Sequence, residues 1–183
     1  APLPLPLCGK NLVVSKLITM TASELLSEFS IKIYEPPLSE LRDNGTIRDL
    51  SNPIAVVMLV IDFDTEISMN GINDFIGNST GIYANETVAA LETIGCSKQA
   101  QQLKKVLEIA TAAGMTHDAI QQDRSGHSES TVTSFAKLHG DNWDNASKQI
   151  SDVESAIDYP DIMAHAARFV EIHHEAFRAA LKL

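Results

Sequence analysis

The chain has 183 residues, 44% of them hydrophobic, and its 24 acidic and 14 basic side chains give a formal net charge of −10. This length and composition are typical of one globular domain with its own hydrophobic core. The negative charge argues against direct binding to nucleic acid phosphates, and it favours a basic partner.

The cysteine pattern and the apolar runs indicate the cellular compartment of the protein and whether it crosses a membrane. Cys8 and Cys96 lie far apart and form neither a paired zinc-binding pattern nor a disulfide framework. No signal peptide is visible, and the longest apolar run, Ile54 to Ile61, is too short to cross a bilayer. We therefore expect a cytoplasmic protein without a membrane segment.

The N-terminal segment begins APLPLPL, in which alternating prolines prevent helix formation. We interpret residues 1–20 as an N-terminal arm, either flexible or foreign to the natural chain, and residues 21–183 as the folded domain. The first helix signal is a capping box at Thr21 and Glu24, and this helix should end before Pro36.

The next helix signal is Ser51-Asn52-Pro53, because Ser and Asn cap helices and proline suits the first helical position. The following run, IAVVMLVI, suits a buried strand equally well. We predict a helix of about 17 residues, since the apolar pattern continues through Met69 and no partner strands are evident.

Glycine and asparagine divide the chain after this helix. Asn70-Gly71 should end it, a short turn from Ile72 to Ile76 should follow, and Gly77 to Gly81 should be a break. We then predict that Asn85 caps a helix running to Ile94, with Gly95 as its end.

The remaining elements are also helical. Helices are predicted from Ser97 to Gly114, after Thr116, over Thr131–Leu138, over Ser147–Ile157 and, as one long C-terminal helix, from Tyr159 to the end, with a loop at Asp123–Ser130. The sequence therefore predicts an all-α, single, compact multi-helix domain.

No nucleophile elbow, dinucleotide-binding or P-loop motif occurs. His165, His173 and His174 lie on the last helix, but the spacing of His165 and His173 does not match ligands three or four residues apart. We predict no catalytic residue, no metal site and no cofactor, and we interpret the protein as a binding protein.

Acidic residues are concentrated in two parts of the chain. No Lys or Arg occurs between Asp49 and Ser97. A second acidic run, from Asp141 to Asp161, contains a single basic residue, Lys148. Carboxylates on successive helical turns lie about 5–6 Å apart, near the spacing of DNA phosphates along a strand. The candidate partner contacts are Asp62, Asp64, Glu66, Asp74, Glu86, Glu92, Asp152, Glu154 and Asp158. Asp62, Asp64 and Glu66 are expected on a solvated helix face.

One stretch resembles a known family. Its residues are Glu66-Ile67, Asn70-Gly71, Phe75, Asn78-Ser79, Gly81, Ala90-Leu91 and Ile94-Gly95. Over about thirty residues this pattern is similar to the motif of the nineteen-kilodalton DNA-mimic protein family. Ile72 stands where that motif has a second glycine, and Cys96 where it has a small residue. The motif itself, including Asn70, Gly71, Phe75, Asn78, Gly81, Leu91 and Gly95, is structural.

The resemblance implies an all-α homodimer whose acidic surface occupies the basic DNA-binding face of a partner, such as a helix-turn-helix transcription factor. An immunity-type inhibitor of a toxin, for example a nuclease, would use a similarly acidic surface. A third hypothesis is a metal-dependent enzyme built on the C-terminal histidine helix. Of the three, we favour the DNA-mimic interpretation.

Overall fold

The computed structural model describes residues 20–126, 139–157 and 159–183. These residues contain ten α-helices, two 3₁₀ helices and no strand, which confirms the predicted all-α fold. None of the helices described is both long and apolar enough to cross a membrane. The α-helices are α1 (Ala22–Lys32), α2 (Glu40–Asp43), α3 (Pro53–Asn70), α4 (Ile72–Gly77), α5 (Ala84–Thr93), α6 (Ser97–Ala112), α7 (His117–Gly126), α8 (Asp141–Glu154), α9 (Tyr159–Ile172) and α10 (His174–Leu181), and the 3₁₀ helices are Thr46–Arg48 and Ser79–Tyr83.

Helix α3 lies at the centre of the core. It begins as predicted, because the Asn52 side chain accepts a hydrogen bond from the Ile54 amide at 3.0 Å and Pro53 occupies the first turn. Every residue from Ile54 to Phe63 is buried. Helices α4, α5, α9 and α10 all contact α3. A helix enclosed in this way is apolar on all sides, which explains why its sequence resembles a buried strand.

Two aromatic pairs join neighbouring helices. Phe29 of α1 packs edge-to-face against Phe177 of α10, with ring centroids 5.0 Å apart. Phe63 of α3 makes the same kind of contact with Phe75 of α4, also at 5.0 Å. All four rings are fully buried, so these contacts fix α1 and α4 against the core.

The capping box predicted at the start of α1 is present. The Glu24 carboxylate accepts a hydrogen bond from the Thr21 amide at 2.7 Å, and the Thr21 hydroxyl accepts one from the Glu24 amide. Hydrogen bonding to Thr21 lowers the pKa of Glu24. Of the N-terminal arm, residues 1–19 lie outside the described residues.

The break between α4 and α5 is shaped by a close approach of the backbone to Gly81. A Cβ atom at this position would lie 2.2 Å from the Ile76 carbonyl oxygen and 2.5 Å from that of Phe75. Only glycine fits there. The cap predicted at Asn85 is wrong, because α5 already begins at Ala84 and Tyr83 is its N-cap.

Three predicted boundaries also differ from the structure. Helix α8 begins at Asp141 rather than Ser147, because Gly140 makes the preceding turn at φ +84° and acidic residues favour a first helical turn. The predicted long C-terminal helix is interrupted at His173 and forms α9 and α10. The loop predicted from Asp123 is helical as far as Gly126. The helix predicted over 131–138 lies outside the described residues.

A buried ion pair joins α2 to α3. Asp62 is only 3% exposed. Its carboxylate accepts hydrogen bonds from Arg42 Nη2 at 2.6 Å and Nε at 2.9 Å, and Arg42 Nη1 donates to the Ile33 carbonyl at 2.6 Å. The guanidinium also lies over the Tyr34 ring. Burial raises the pKa of Asp62, and the hydrogen bonds from Arg42 oppose that rise.

Replacing Gly81 by Ala should destabilise the fold by about 3 kcal/mol, because the new methyl group would overlap two backbone carbonyl oxygens. Chemical denaturation measures this loss. Gly114→Ala is the control, since its Cβ meets nothing within 4 Å and only the positive φ of +76° is strained, at about 1 kcal/mol. Equal losses in the two variants would contradict the steric explanation.

Replacing Arg42 by Met should lower the free energy of unfolding by about 3 kcal/mol at pH 7, because a buried carboxylate loses its partner. The pKa of Asp62 should then rise further, so the folded state binds a proton more tightly than the unfolded state. The destabilisation should therefore be greatest at neutral pH and shrink as the pH falls towards the ordinary Asp value of 3.8.

The control for this substitution is Lys32→Met, which removes an exposed pair with Glu28 at 2.8 Å. An exposed pair contributes less than about 1 kcal/mol. Carbon-detected NMR titration of the Asp62 carboxyl in the Arg42→Met protein measures the pKa directly. An unchanged or lower pKa would show that Arg42 does not stabilise the ionised carboxylate.

Candidate functional site

The carboxylates predicted to face a partner have different environments in the structure. Asp62 is buried in the Arg42 pair, so the expectation that it lies on a solvated face is wrong. The sequence places Asp62 on a helix with Asp64 and Glu66, but it does not show that residues 40–43 cover that side of α3. Asp62 is therefore a structural residue.

Asp64 is half-buried and forms no salt bridge with a described residue. Burial raises the pKa of its carboxyl. Glu66, two residues further along α3, accepts hydrogen bonds from Asn78 at 2.5 Å and from Asn70 at 3.4 Å. The two carboxylates are thus less available to a partner than fully exposed side chains would be.

A chain of polar contacts links Glu66 to α7. Asn78 donates to Glu66 through Nδ2 and accepts from Arg124 Nη1 at 2.9 Å through Oδ1. Arg124 Nη2 in turn donates to Asp74 Oδ1 at 2.7 Å. The motif residue Asn78 therefore connects α3, α4 and α7. It donates a hydrogen bond to the predicted contact Glu66, and Arg124 links it to the predicted contact Asp74.

Glu86 and Glu154 also have partners within the chain. Glu86 forms a salt bridge with Arg48, whose guanidinium lies over the Tyr83 ring. Glu154, at the end of α8, accepts a hydrogen bond from the Ile72 amide at 2.9 Å. It therefore caps the N-terminus of α4 from a distant part of the sequence, which is favourable because a carboxylate complements the free amides there.

Glu92 and Asp152 are exposed and form no salt bridge with a described residue. Of the nine predicted contacts, these two match the expected environment of a docking surface best. Asp158 lies outside the described residues. Of the predicted acidic residues, Asp62, Glu66, Asp74, Glu86 and Glu154 thus join parts of the fold, whereas Glu92 and Asp152 lie on the open surface.

Other exposed carboxylates were not singled out from the sequence. Most of them lie near a Lys or Arg in the sequence, where a search for runs without positive charge does not find them. Outward-facing positions in each helical repeat would have identified most of them. Those without a salt bridge to a described residue include Glu35, Glu40, Asp43, Glu108, Asp118 and Glu171.

The motif residues lie where α3 to α6 meet. Gly71 has φ +81° at the end of α3, and the Glu154 carboxylate is close to it. Leu91 is fully buried. Gly95, at φ +86°, lies beside the His165 ring. Together with Phe75, Asn78, Gly81 and Asn70, which donates to Glu66, these residues make packing and hydrogen-bonding contacts within the fold.

The histidines of the predicted C-terminal helix are separated by the break at His173. His165 Nδ1 donates to the Ile94 carbonyl at 2.9 Å, and His174 Nε2 donates to that of Met20 at 3.0 Å. His173 packs against Phe169, with ring centroids 4.4 Å apart. Among the described residues there is no group of three or more His, Cys, Asp or Glu placed to hold a metal ion.

The chain matches a known protein family. A family model described as DMP19-like protein matches residues 48–173, from the 3₁₀ helix before α3 to the break between α9 and α10. No curated protein and no solved structure matches the chain significantly. The family match includes the stretch from Glu66 to Gly95 and confirms the resemblance found there. Since it extends over well more than half of the sequence, the chain belongs to the DMP19-like protein family.

Proposed function

We propose that the protein is a DNA mimic that occupies the basic DNA-binding face of a partner protein, such as a helix-turn-helix transcription factor. Membership of the DMP19-like protein family is the observation that carries this proposal. A net charge of −10 supports it, because a basic DNA-binding surface is attracted to a negative potential.

The mechanism is electrostatic competition. Carboxylates replace phosphates at the partner's surface, and the partner is then unavailable to DNA. Such binding does not require catalysis, so the protein is proposed to act as a stoichiometric inhibitor rather than an enzyme, in the cytoplasm and as a homodimer. Association should be fast and should weaken with salt, since opposite charges steer the encounter.

The exposure and pairing of each carboxylate affect how well it suits this role. Glu92 and Asp152 remain on the surface, and exposed residues such as Glu108, Asp141 and Glu171 add to the negative potential. Asp62 and Glu154 instead stabilise the fold. Reversing the charge of Asp62 would leave two cations facing each other in the core, so loss of binding in that variant would not identify a contact.

The proposal is tested by immobilising the whole chain and capturing proteins from the native cell extract at low salt. We expect a DNA-binding protein that duplex DNA displaces, because DNA and this chain compete for one basic surface. With the purified partner, the association rate should fall by about tenfold or more between low and high salt, as expected for charge-steered binding.

A neutral polymer of similar length to the DNA serves as the control and should not displace the partner. Capture of a toxin that DNA does not displace would contradict DNA mimicry and support inhibition of that toxin. A partner whose association rate is insensitive to salt would contradict electrostatic competition.

A further inference from the structure

A groove of about 660 Å³ lies between α5 and α6. Val88 of α5 and Leu107 of α6 line it, and both are only partly buried against the core. Ala112 lines it as well, and a small side chain there leaves space at the end of the groove. We call this feature the α5–α6 groove. Its size is within the range of binding clefts, and two aliphatic side chains supply its apolar surface.

The rim of the α5–α6 groove has net negative charge. Glu92 of α5 and Glu108 of α6 line the groove, and both are exposed without a salt bridge to any described residue. Lys104 is the one cation that lines the groove among the described residues, and it lies one turn before Glu108. The groove therefore combines an apolar surface with two carboxylates that no cation of the described residues neutralises.

A second groove on α6 differs in its charge. It lies against α8 and is lined by Ile109, with Lys105 and Asp152 giving one cation and one carboxylate. A side chain also crosses it, because Gln102 Nε2 donates to the Ala156 carbonyl at 2.8 Å. Charge therefore favours a basic ligand in the α5–α6 groove and not in this one.

We propose that the α5–α6 groove receives a basic amphipathic helix of the partner protein. The inference rests on the proposed function and assigns it a docking position. A helix in a groove presents apolar side chains three and four residues apart, which here would contact Val88 and Leu107. Lys or Arg side chains beside that apolar face would reach Glu92 and Glu108. Helices that read the DNA major groove are basic and amphipathic, so they fit this chemistry.

The test uses a synthetic peptide of about five helical turns, built from Leu and Lys so that one face is apolar and the other basic. The peptide is titrated into the ¹⁵N-labelled whole chain, and amide chemical shifts are recorded. We expect the changes to be concentrated on the residues of α5 and α6 that line the groove. A matched peptide of Leu and Glu should bind at least about tenfold more weakly, because the rim repels it.

Two pairs of variants distinguish the groove from general attraction. Leu107→Arg should weaken binding of the Leu-Lys peptide by about tenfold or more, because it places a cation in the apolar surface. Ile109→Arg, on the same helix but in the second groove, should change it by less than about threefold. Glu92→Lys with Glu108→Lys should weaken binding more than Asp118→Lys with Glu171→Lys, although both double variants change the net charge equally.

The outcomes separate this inference from the proposed function. Shift changes spread over the whole surface, equal losses in the two double variants, or no binding would overturn the groove assignment. Thermal unfolding checks that each variant folds, and if Leu107→Arg does not, the exposed glutamate variants decide. Peptide binding in the groove without a partner that DNA displaces would support the groove and contradict DNA mimicry. The opposite result would contradict the groove alone.

Discussion

The enclosure of α3 is the constraint on which the rest of the structure depends. Ten successive residues from Ile54 are buried, so neighbouring helices must cover every side of this helix. Asp62 lies within this run and is a charged residue that is almost fully buried. An isolated carboxylate there would be strongly unfavourable, and Arg42 compensates by supplying two hydrogen bonds. The position of α2 against α3 thus follows from one buried charge.

Other carboxylates around the core also join separate parts of the fold. Glu66 accepts a hydrogen bond from Asn78, and Glu154 caps α4. Asp74 and Glu86 form salt bridges with Arg124 and Arg48, respectively. Each contact joins elements that are separate in sequence, and together they fix the segment between α3 and α5. The negative charge of this protein therefore has two roles. Part of it positions helices, and the remainder forms the surface potential.

The division matters for binding because the two groups of carboxylates respond differently to a partner. A paired carboxylate would have to release its cation or its hydrogen-bond donor before it could contact another protein, at a cost in free energy. Carboxylates that are exposed and form no salt bridge with a described residue, such as Glu92 and Glu108, carry no such cost. They also line an apolar groove, so long-range attraction and short-range shape can act at the same place. General negative charge attracts many basic proteins, whereas a groove of fixed shape can discriminate among them.

The sequence by itself determined the fold class, the centre of the molecule and the family. The capping box at Thr21 and the Asn52-Pro53 start depend on neighbouring residues only, so they are visible without a structure. The glycines and Asn78 of the motif were also recognisable. Tertiary structure alone decided which carboxylates pair with a cation, because pairing with Arg42, Arg48 or Arg124 joins residues 20 to 50 positions apart. It also decided the break at His173 and the groove between α5 and α6, since both depend on how helices pack against each other rather than on local preference.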